Sequence, residues 1–289
     1  MVEALIPQTL SRRMDRVSVR QVLNRSLIVL VFGLTACTAD RAELDAAVVA
    51  LKQGDFEAAY QTFYRLARNG DAKGQFYLAQ MYREGKGLNQ DYAKAFRWYR
   101  QAAEQGLDKA QHNLALMYHN GLGVPKDLQK AAKWYREAAE QGYVESQQNL
   151  ALLYYHGHGV SKDMEEALKW WRAAAAQGAV RAQHNLALMY YKGPGMEPDY
   201  GKALKLWRKA AEQGFADSQN SLGTLYYEGQ GVERDYIQAY AWFRLAEAGG
   251  KDRAKLNLAI VETKMTSAEV AQAARLSETY SQKYSKKRN

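Results

Sequence analysis

A short segment that recurs along the chain indicates how the protein folds. Residues 113–142 have the sequence NLALMYHNGLGVPKDLQKAAKWYREAAEQG. Apolar residues in its first and last parts recur at helical spacing, which predicts two amphipathic helices. Between them, Gly121 and Gly123 can adopt positive φ at no steric cost, and Asp127 is a natural N-cap for the second helix. The stretch therefore predicts a helix–loop–helix hairpin that ends at Gly142 in a left-handed C-cap.

This hairpin returns at a fixed step of 36 residues. The terminal glycine recurs at Gly70, Gly106, Gly142, Gly178, Gly214 and Gly250. The capping aspartate recurs at Asp91, Asp127, Asp163, Asp199 and Asp235. Periods of roughly 20–50 residues are typical of solenoids, whose units contact their neighbours and share a continuous core. We therefore predict an all-α fold in which five hairpins over residues 72–251 stack on one another.

Both ends of the chain depart from the repeat. Residues 46–71 match only the second-helix part of the unit and predict an N-terminal helical hairpin. Residues 252–282 lack the glycine loop, and a capping box at residues 266–269 starts their last helix. Solenoids need modified ends of this kind to cover their core. Residues 283–289 are expected to form a basic, frayed tail.

Composition narrows the function. The 289 residues are 47% hydrophobic, which is enough for a packed core. Residues 1–36 carry +3 of the net charge of +9, and the remaining +6 is weaker than a typical nucleic-acid-binding protein needs. The single cysteine, Cys37, excludes an intramolecular disulfide framework and any cysteine-rich zinc site. His156 and His158, with His119 one unit away, are the best candidates for a metal site, but the sequence signals neither a third ligand nor residues that would orient the ligands. We expect no metal, cofactor, nucleic-acid partner or small-molecule substrate.

Residues 1–36 resemble the signal peptide of a bacterial lipoprotein. Arg20 and Arg25 precede the short apolar run of residues 27–32, and small residues then lead to Cys37. The resemblance to a lipobox implies cleavage before Cys37 and acylation of Cys37, with lipid chains that hold the protein on a membrane. The alternative is a buried N-terminal helix with an incidental cysteine.

The residues after Cys37 bear on where the protein is located. Thr38 stands where lipoproteins retained in the inner membrane often have aspartate, so the pattern favours the outer membrane, facing the periplasm. Residues 37–45 are expected to form the acylated cysteine and a short tether. Because the basic region is long, Met14 is an alternative start to Met1.

The repeated stretch resembles the Sel1-like repeat family, which is related to tetratricopeptide repeats. The resemblance rests on residues 113–118, 121–127 and 130–142 and extends over residues 72–251. It implies a right-handed α-solenoid that acts as a protein-interaction scaffold, often in bacterial envelopes. Some secreted members are cysteine-rich and have been linked to penicillin binding or hydrolysis. This chain has no cysteine in its repeats, which weakens the transfer of that activity.

A partner surface is predicted on the first helix of each hairpin. The positions that vary most between units fall on one face of that helix, and the resemblance implies that first helices line the concave side. Such a face suits a peptide or an amphipathic helix. The candidate partner-binding residues are His112, Asn113, Leu116, Asn149, Leu152, His184, Asn185 and Leu188. For the asparagines and leucines, the alternative role is packing between repeats.

Taken together, these patterns favour a non-enzymatic scaffold, anchored in the bacterial cell envelope, that binds a protein or peptide. One alternative is a cell-wall or exopolysaccharide-associated assembly factor, because a basic surface with aromatic side chains would suit acidic glycans. The other alternative is a hydrolase acting on β-lactams or peptidoglycan, as proposed for the cysteine-rich relatives.

Overall fold

The computed structural model describes residues 40–193 and 197–285. These residues form fourteen α-helices and no β-strand, so the prediction of an all-α repeat solenoid is confirmed. They divide into two compact units, the first ending at Gln90 and the second beginning at Asp91.

Several predicted features lie outside the described residues. They are the signal segment at residues 1–36, Cys37 with the start of its tether, and residues 286–289 of the basic tail. Within the described ranges, every helix is too short or too polar to span a lipid bilayer.

The first unit contains the predicted N-terminal hairpin and one further helix. Its helices are α1 (40–53), α2 (Phe56–Arg68) and α3 (Ala72–Glu84). Helix α1 already includes residues 40–45, which the sequence analysis assigned to a tether. The physical reason is that Leu44 is buried and that Arg65 of α2 forms ion pairs with Asp40 and Glu43.

The second unit contains the remaining hairpins and the C-terminal cap. In the part of the chain that the structure describes, its helices are α4 (Tyr92–Glu104), α5 (Asp108–Asn120), α6 (Leu128–Glu140), α7 (Val144–His156), α8 (Met164–Ala176), α9 (Val180–Lys192), α10 (Tyr200–Glu212), α11 (Ala216–Glu228), α12 (Tyr236–Ala248), α13 (Asp252–Glu262) and α14 (Ser267–Ser285). Consecutive helices from α4 to α13 pack against each other, and α14 packs on α12. The first helices of successive hairpins are therefore α5, α7, α9 and α11.

The helix ends form as the sequence predicts. The carboxylate of Asp127 accepts a hydrogen bond from the backbone N–H of Lys130 at 2.9 Å, which caps α6. Gly121 ends α5 with φ +73°, and Gly142 follows α6 with φ +91°. Left-handed backbone of this kind favours glycine because it lacks Cβ.

Gly123 has a second reason to be glycine. A Cβ atom at this position would lie 2.3 Å from the carbonyl oxygen of Tyr92, at the start of the preceding hairpin's second helix. Gly159 approaches the carbonyl oxygen of Leu128 in the same way, also at 2.3 Å. The second loop glycine therefore sets how closely consecutive hairpins approach.

Buried glutamines link the hairpins, a feature that the sequence analysis did not single out. The side-chain amide of Gln147 donates to the carbonyl oxygen of Ala139 at 3.1 Å. Its own oxygen accepts from Nε2 of Gln177 at 3.0 Å. One hairpin earlier, Nε2 of Gln141 likewise donates to the side-chain oxygen of Gln111 at 2.7 Å. Buried amides are stable only when hydrogen-bonded, so each glutamine pair holds its two hairpins in one register.

The predicted capping box is present at the start of α14, and the helix extends further than predicted. Thr266 donates its backbone N–H to Glu269 at 2.7 Å, and the N–H of Glu269 lies 3.3 Å from the Thr266 hydroxyl, which confirms the capping box. Helix α14 continues to Ser285, beyond the predicted end at residue 282. The reason is Tyr284, which is 6% exposed and stacks on Trp242 with ring centroids 5.7 Å apart.

Candidate functional site

Three adjacent pockets form a groove along the first helices of the second unit. The α5–α7 pocket has a volume of about 320 Å³, the α7–α9 pocket about 160 Å³ and the α9–α13 pocket about 290 Å³. Leu152 and His156 line both the first and the second pocket. Leu188 and Lys192 line both the second and the third. These shared walls make the pockets one continuous groove.

Most of the predicted partner-binding residues lie on the walls of this groove. They are Leu116, Asn149, Leu152, Asn185 and Leu188. They come together because a step of 36 residues returns each side chain to the same place on the next hairpin. The predicted Asn113 is not among the residues that line the pockets, and its side-chain amide donates to the carbonyl oxygen of Lys109 at 2.7 Å.

The predicted histidines lie between hairpins and not on the groove. His112 is 8% exposed, and its Nδ1 atom lies 2.8 Å from the hydroxyl of Ser146. His184 makes the same contact with Ser218 at 2.9 Å. Burial lowers the pKa of His184 to about 4, so its ring is neutral at pH 7. Both histidines tie one hairpin to the next, and the binding surface proposed below does not include them.

Three other histidines surround the α5–α7 pocket. The rings of His156 and His158 stack with centroids 5.3 Å apart, and His119 lines the same pocket. Burial lowers the pKa of His119, and the nearby Lys126 and His158 lower it further. Among the residues whose placement is described, no three His, Cys, Asp or Glu side chains are arranged to hold a metal ion.

The floor of each pocket is an aromatic residue that the sequence analysis missed as a site residue. These residues follow the same 36-residue step and are Tyr135, Trp171 and Trp207. The hydroxyl of Tyr135 is buried and hydrogen-bonded to the side chain of Asn149 on the next hairpin, and burial raises the pKa of Tyr135. The 36-residue period could have identified these residues, since Trp171 and Trp207 follow Tyr135 at that step.

The α7–α9 pocket differs from the α5–α7 pocket because the indole N–H of its floor residue is not hydrogen-bonded. Trp171 is 2% exposed, and within residues 40–193 and 197–285 its indole N–H has no hydrogen-bond partner, as is also true of Trp207 in the α9–α13 pocket. Asn185, at the position equivalent to Asn149, also has no side-chain partner within those ranges. A buried donor without a partner costs on the order of 1–3 kcal/mol. The pocket therefore contains polar groups that the chain itself does not satisfy.

The charged side chains of the groove are mostly basic. Lys192 lines the α7–α9 and α9–α13 pockets, and Arg253 lines the α9–α13 pocket. Neither forms an ion pair with any residue that the structure describes. Among the residues that line the three pockets, the one carboxylate is that of Glu228, which lies 3.4 Å from the hydroxyl of Tyr191. The groove thus presents unpaired positive charge beside its apolar walls.

Sequence and structure comparisons agree on one type of repeat. The Sel1 repeat sequence profile matches five consecutive segments, residues 72–107, 108–143, 144–178, 180–215 and 216–251. The structure is similar to a Sel1 repeat protein from Oxalobacter formigenes, with a TM-score of 0.70 and 28% sequence identity over 82% of this chain and 96% of that one.

A second solved structure is similar in the same way. It is a protective antigen of uropathogenic Escherichia coli strains that displays an SLR fold. The TM-score is 0.56 and the identity 34%, with 86% of this chain and 62% of that chain covered. Comparison with curated proteins gave no significant match.

Proposed function

Because this chain belongs to the Sel1 repeat family, whose members are protein-interaction scaffolds, we propose that its second unit binds a partner protein in the groove along the first helices. The family fold is generally non-enzymatic, and we propose that this chain too acts by binding and not by catalysis. The partner would supply a segment that lies across consecutive hairpins.

The observation that carries this proposal is an apolar row on the groove. It follows the 36-residue step through Leu116, Leu152 and Leu188, is interrupted by the polar Thr224, and resumes at Ile260 on α13. Leu152 is 38% exposed and Ile260 is 50% exposed. Apolar side chains that stay exposed in a continuous depression, with polar groups beside them, are typical of binding sites. A partner that covers this row would remove its apolar surface from water.

Crosslinking followed by co-purification from intact cell envelopes tests the groove. The baits are the full chain, the variant Leu152→Glu/Leu188→Glu, and the control Val49→Glu, which places a charge on an exposed apolar position of α1. We expect one protein to be recovered with the full chain and with Val49→Glu but lost with the double variant. Circular dichroism should show equal helical content in all three. Equal recovery with the double variant would exclude the groove as the interface.

The co-purification experiment and a hydrolase assay separate the alternatives. Recovery of an acidic glycan in a salt-sensitive manner, in place of a protein, would favour the assembly-factor hypothesis, because screening weakens contacts between exposed charges. Turnover of a β-lactam or of peptidoglycan by the purified chain would favour the hydrolase hypothesis.

We also propose that Cys37 is acylated and anchors the protein in the cell envelope, in the outer membrane and facing the periplasm. The support is the lipobox-like sequence that ends at Cys37. Two or more acyl chains give stable anchoring, so the native chain should enter the detergent phase on phase partition, and Cys37→Ser should stay in the aqueous phase. Density-gradient separation of the two membranes should find the native chain with the outer membrane. An aqueous native chain would contradict the anchor.

A further inference from the structure

We propose that the α7–α9 pocket binds the carboxylate of a glutamate side chain within the partner segment. The inference rests on the proposed function, since it names the chemistry that the groove recognises. The pocket has a volume of about 160 Å³, comparable to one side chain, and its walls include Leu152, Leu188 and Met189. Those walls suit the methylene groups of a glutamate, so the remaining question is what receives its charged end.

Three residues that line this pocket carry a hydrogen-bond donor for which the described chain supplies no partner. They are the indole N–H of Trp171, the side-chain amide of Asn185 and the ammonium group of Lys192. Indole and ammonium groups can only donate, and the amide can donate through its NH₂ group. A ligand group that satisfies all three must therefore be an acceptor, and a carboxylate has two acceptor oxygens.

The preceding pocket shows what is missing here. There, the side chain of Asn149 is hydrogen-bonded to the hydroxyl of its floor residue, Tyr135. In the α7–α9 pocket the floor is Trp171, whose indole offers Asn185 no comparable hydroxyl. With Trp in place of Tyr, neither the floor residue nor Asn185 has a side-chain hydrogen-bond partner in the described chain. Lys192 lies on α9 with Asn185 and lines the same pocket.

Trp170, which precedes Trp171 on α8, already makes contacts of the proposed kind. Trp170 donates its indole N–H to the carboxylate of Glu166 at 2.9 Å, and Lys169 pairs with that carboxylate, also at 2.9 Å. One carboxylate thus satisfies an indole and an ammonium group together. We infer that a partner's glutamate supplies the same combination to Trp171 and Lys192.

Two features favour an internal side chain over a chain terminus. The α7–α9 pocket shares walls with a pocket on each side, so a bound segment can continue in both directions. Charge complementarity also extends along the groove, because Arg253 in the next pocket has no ion pair among the described residues. A segment with acidic side chains between apolar ones therefore fits the groove better than a single terminal carboxylate.

A phage-displayed library of random dodecapeptides, selected on the immobilised full chain, is the probe. We expect enriched peptides to carry a glutamate between apolar residues. In a synthetic copy of an enriched peptide, Glu→Gln should weaken binding at least about tenfold, since charge-assisted hydrogen bonds are the strong ones. Lys192→Met should weaken binding by a similar factor, and Trp171→Phe by a smaller one that is still measurable.

Trp170→Phe is the matched control, because its indole N–H is already bonded within the chain. It should leave peptide affinity within about twofold, and circular dichroism should show that all three variants remain folded. Phenylalanine is tolerated at the floor position, since Phe243 occupies it in the last repeat.

Enriched peptides without an acidic residue would overturn the inference. Peptide affinity that the protein variants Lys192→Met and Trp171→Phe leave unchanged would also overturn it. So would binding that is lost when the peptide's C-terminus is amidated but kept when the peptide's glutamate is changed to glutamine. Failure to select any peptide that distinguishes the native chain from Leu152→Glu/Leu188→Glu would overturn it as well. The proposed function is judged separately, by the co-purification experiment.

Discussion

The Nδ1 atom of His112 lies 2.8 Å from the Oγ atom of Ser146, which is 34 residues further along the chain. Both side chains are buried. The contact joins the first helix of one hairpin to the first helix of the next, and it recurs between His184 and Ser218, where the following unit again carries serine. Each of these hairpins is therefore held to its neighbour by a specific polar pair as well as by apolar packing.

Ser146→Ala should lower the free energy of unfolding by about 1–3 kcal/mol, because it leaves the buried ring nitrogen of His112 without its partner. Alanine itself fits, since Ala182 fills the equivalent position. Urea unfolding followed by circular dichroism measures the loss. The double variant His112→Gln/Ser146→Ala copies the natural pair Gln148 and Ala182 and should be more stable than the single variant. Purely additive losses would exclude the coupling.

The folded state should become less stable as the pH falls, because of His184. Burial holds its pKa at about 4, below the usual 6.5 that applies in the unfolded chain. Above pH 6.5 both states are neutral, and the group has no effect. As pH falls from 6.5 towards 4, only the unfolded chain takes up the proton, so unfolding becomes easier by up to about 3 kcal/mol.

Unfolding free energies at pH 7.5, 5.5 and 4 test this dependence. The variant His184→Gln should lose less stability over that range than the native chain. Parallel curves for native and His184→Gln would show that His184 does not titrate as its burial requires.

Two loop glycines should differ in how much they tolerate alanine. Gly142 has φ +91° and open space where a Cβ would project, so Gly142→Ala should cost only the backbone strain, about 1–2 kcal/mol. Gly123 has φ +68°, and its Cβ would meet the Tyr92 carbonyl at 2.3 Å, so Gly123→Ala should cost on the order of 3 kcal/mol or more. Urea midpoints compare the two, and equal losses would contradict the close approach.

Gln147→Ala should destabilise the contact between the hairpins that contain Ala139 and Gln177. Both lose a hydrogen-bond partner, and the expected loss is about 1–3 kcal/mol. Amide hydrogen exchange should be faster in α7 and α8 than in the native chain. Gln148→Ala, at the neighbouring and less buried position, is the control and should change exchange little. Unchanged exchange with Gln147→Ala would mean that the pair adds nothing to the interface.

The helices, their ends and their stacking were predictable from the sequence. The cap at Asp127 and the positive φ of Gly121 depend on backbone groups only a few residues away, so the local sequence encodes them. The period of 36 then places Leu116, Leu152 and Leu188 in one row without knowledge of any distance. The start of α1 and the end of α14 were harder to predict, because Leu44 and Tyr284 are ordered by burial against other helices.

The repeat, its hairpin and the face that carries the candidate site follow from local sequence and its period. The role of each repeated side chain depends on contacts between hairpins. Asn113, Asn149 and Asn185 hold the same position in successive hairpins, yet the first bonds backbone, the second bonds Tyr135 and the third has no partner in the described chain. The physical reason is that the residue facing each asparagine across the interface stands on a different helix, so its distance and chemistry depend on how neighbouring hairpins pack, and Asn113 bonds its own helix at Lys109.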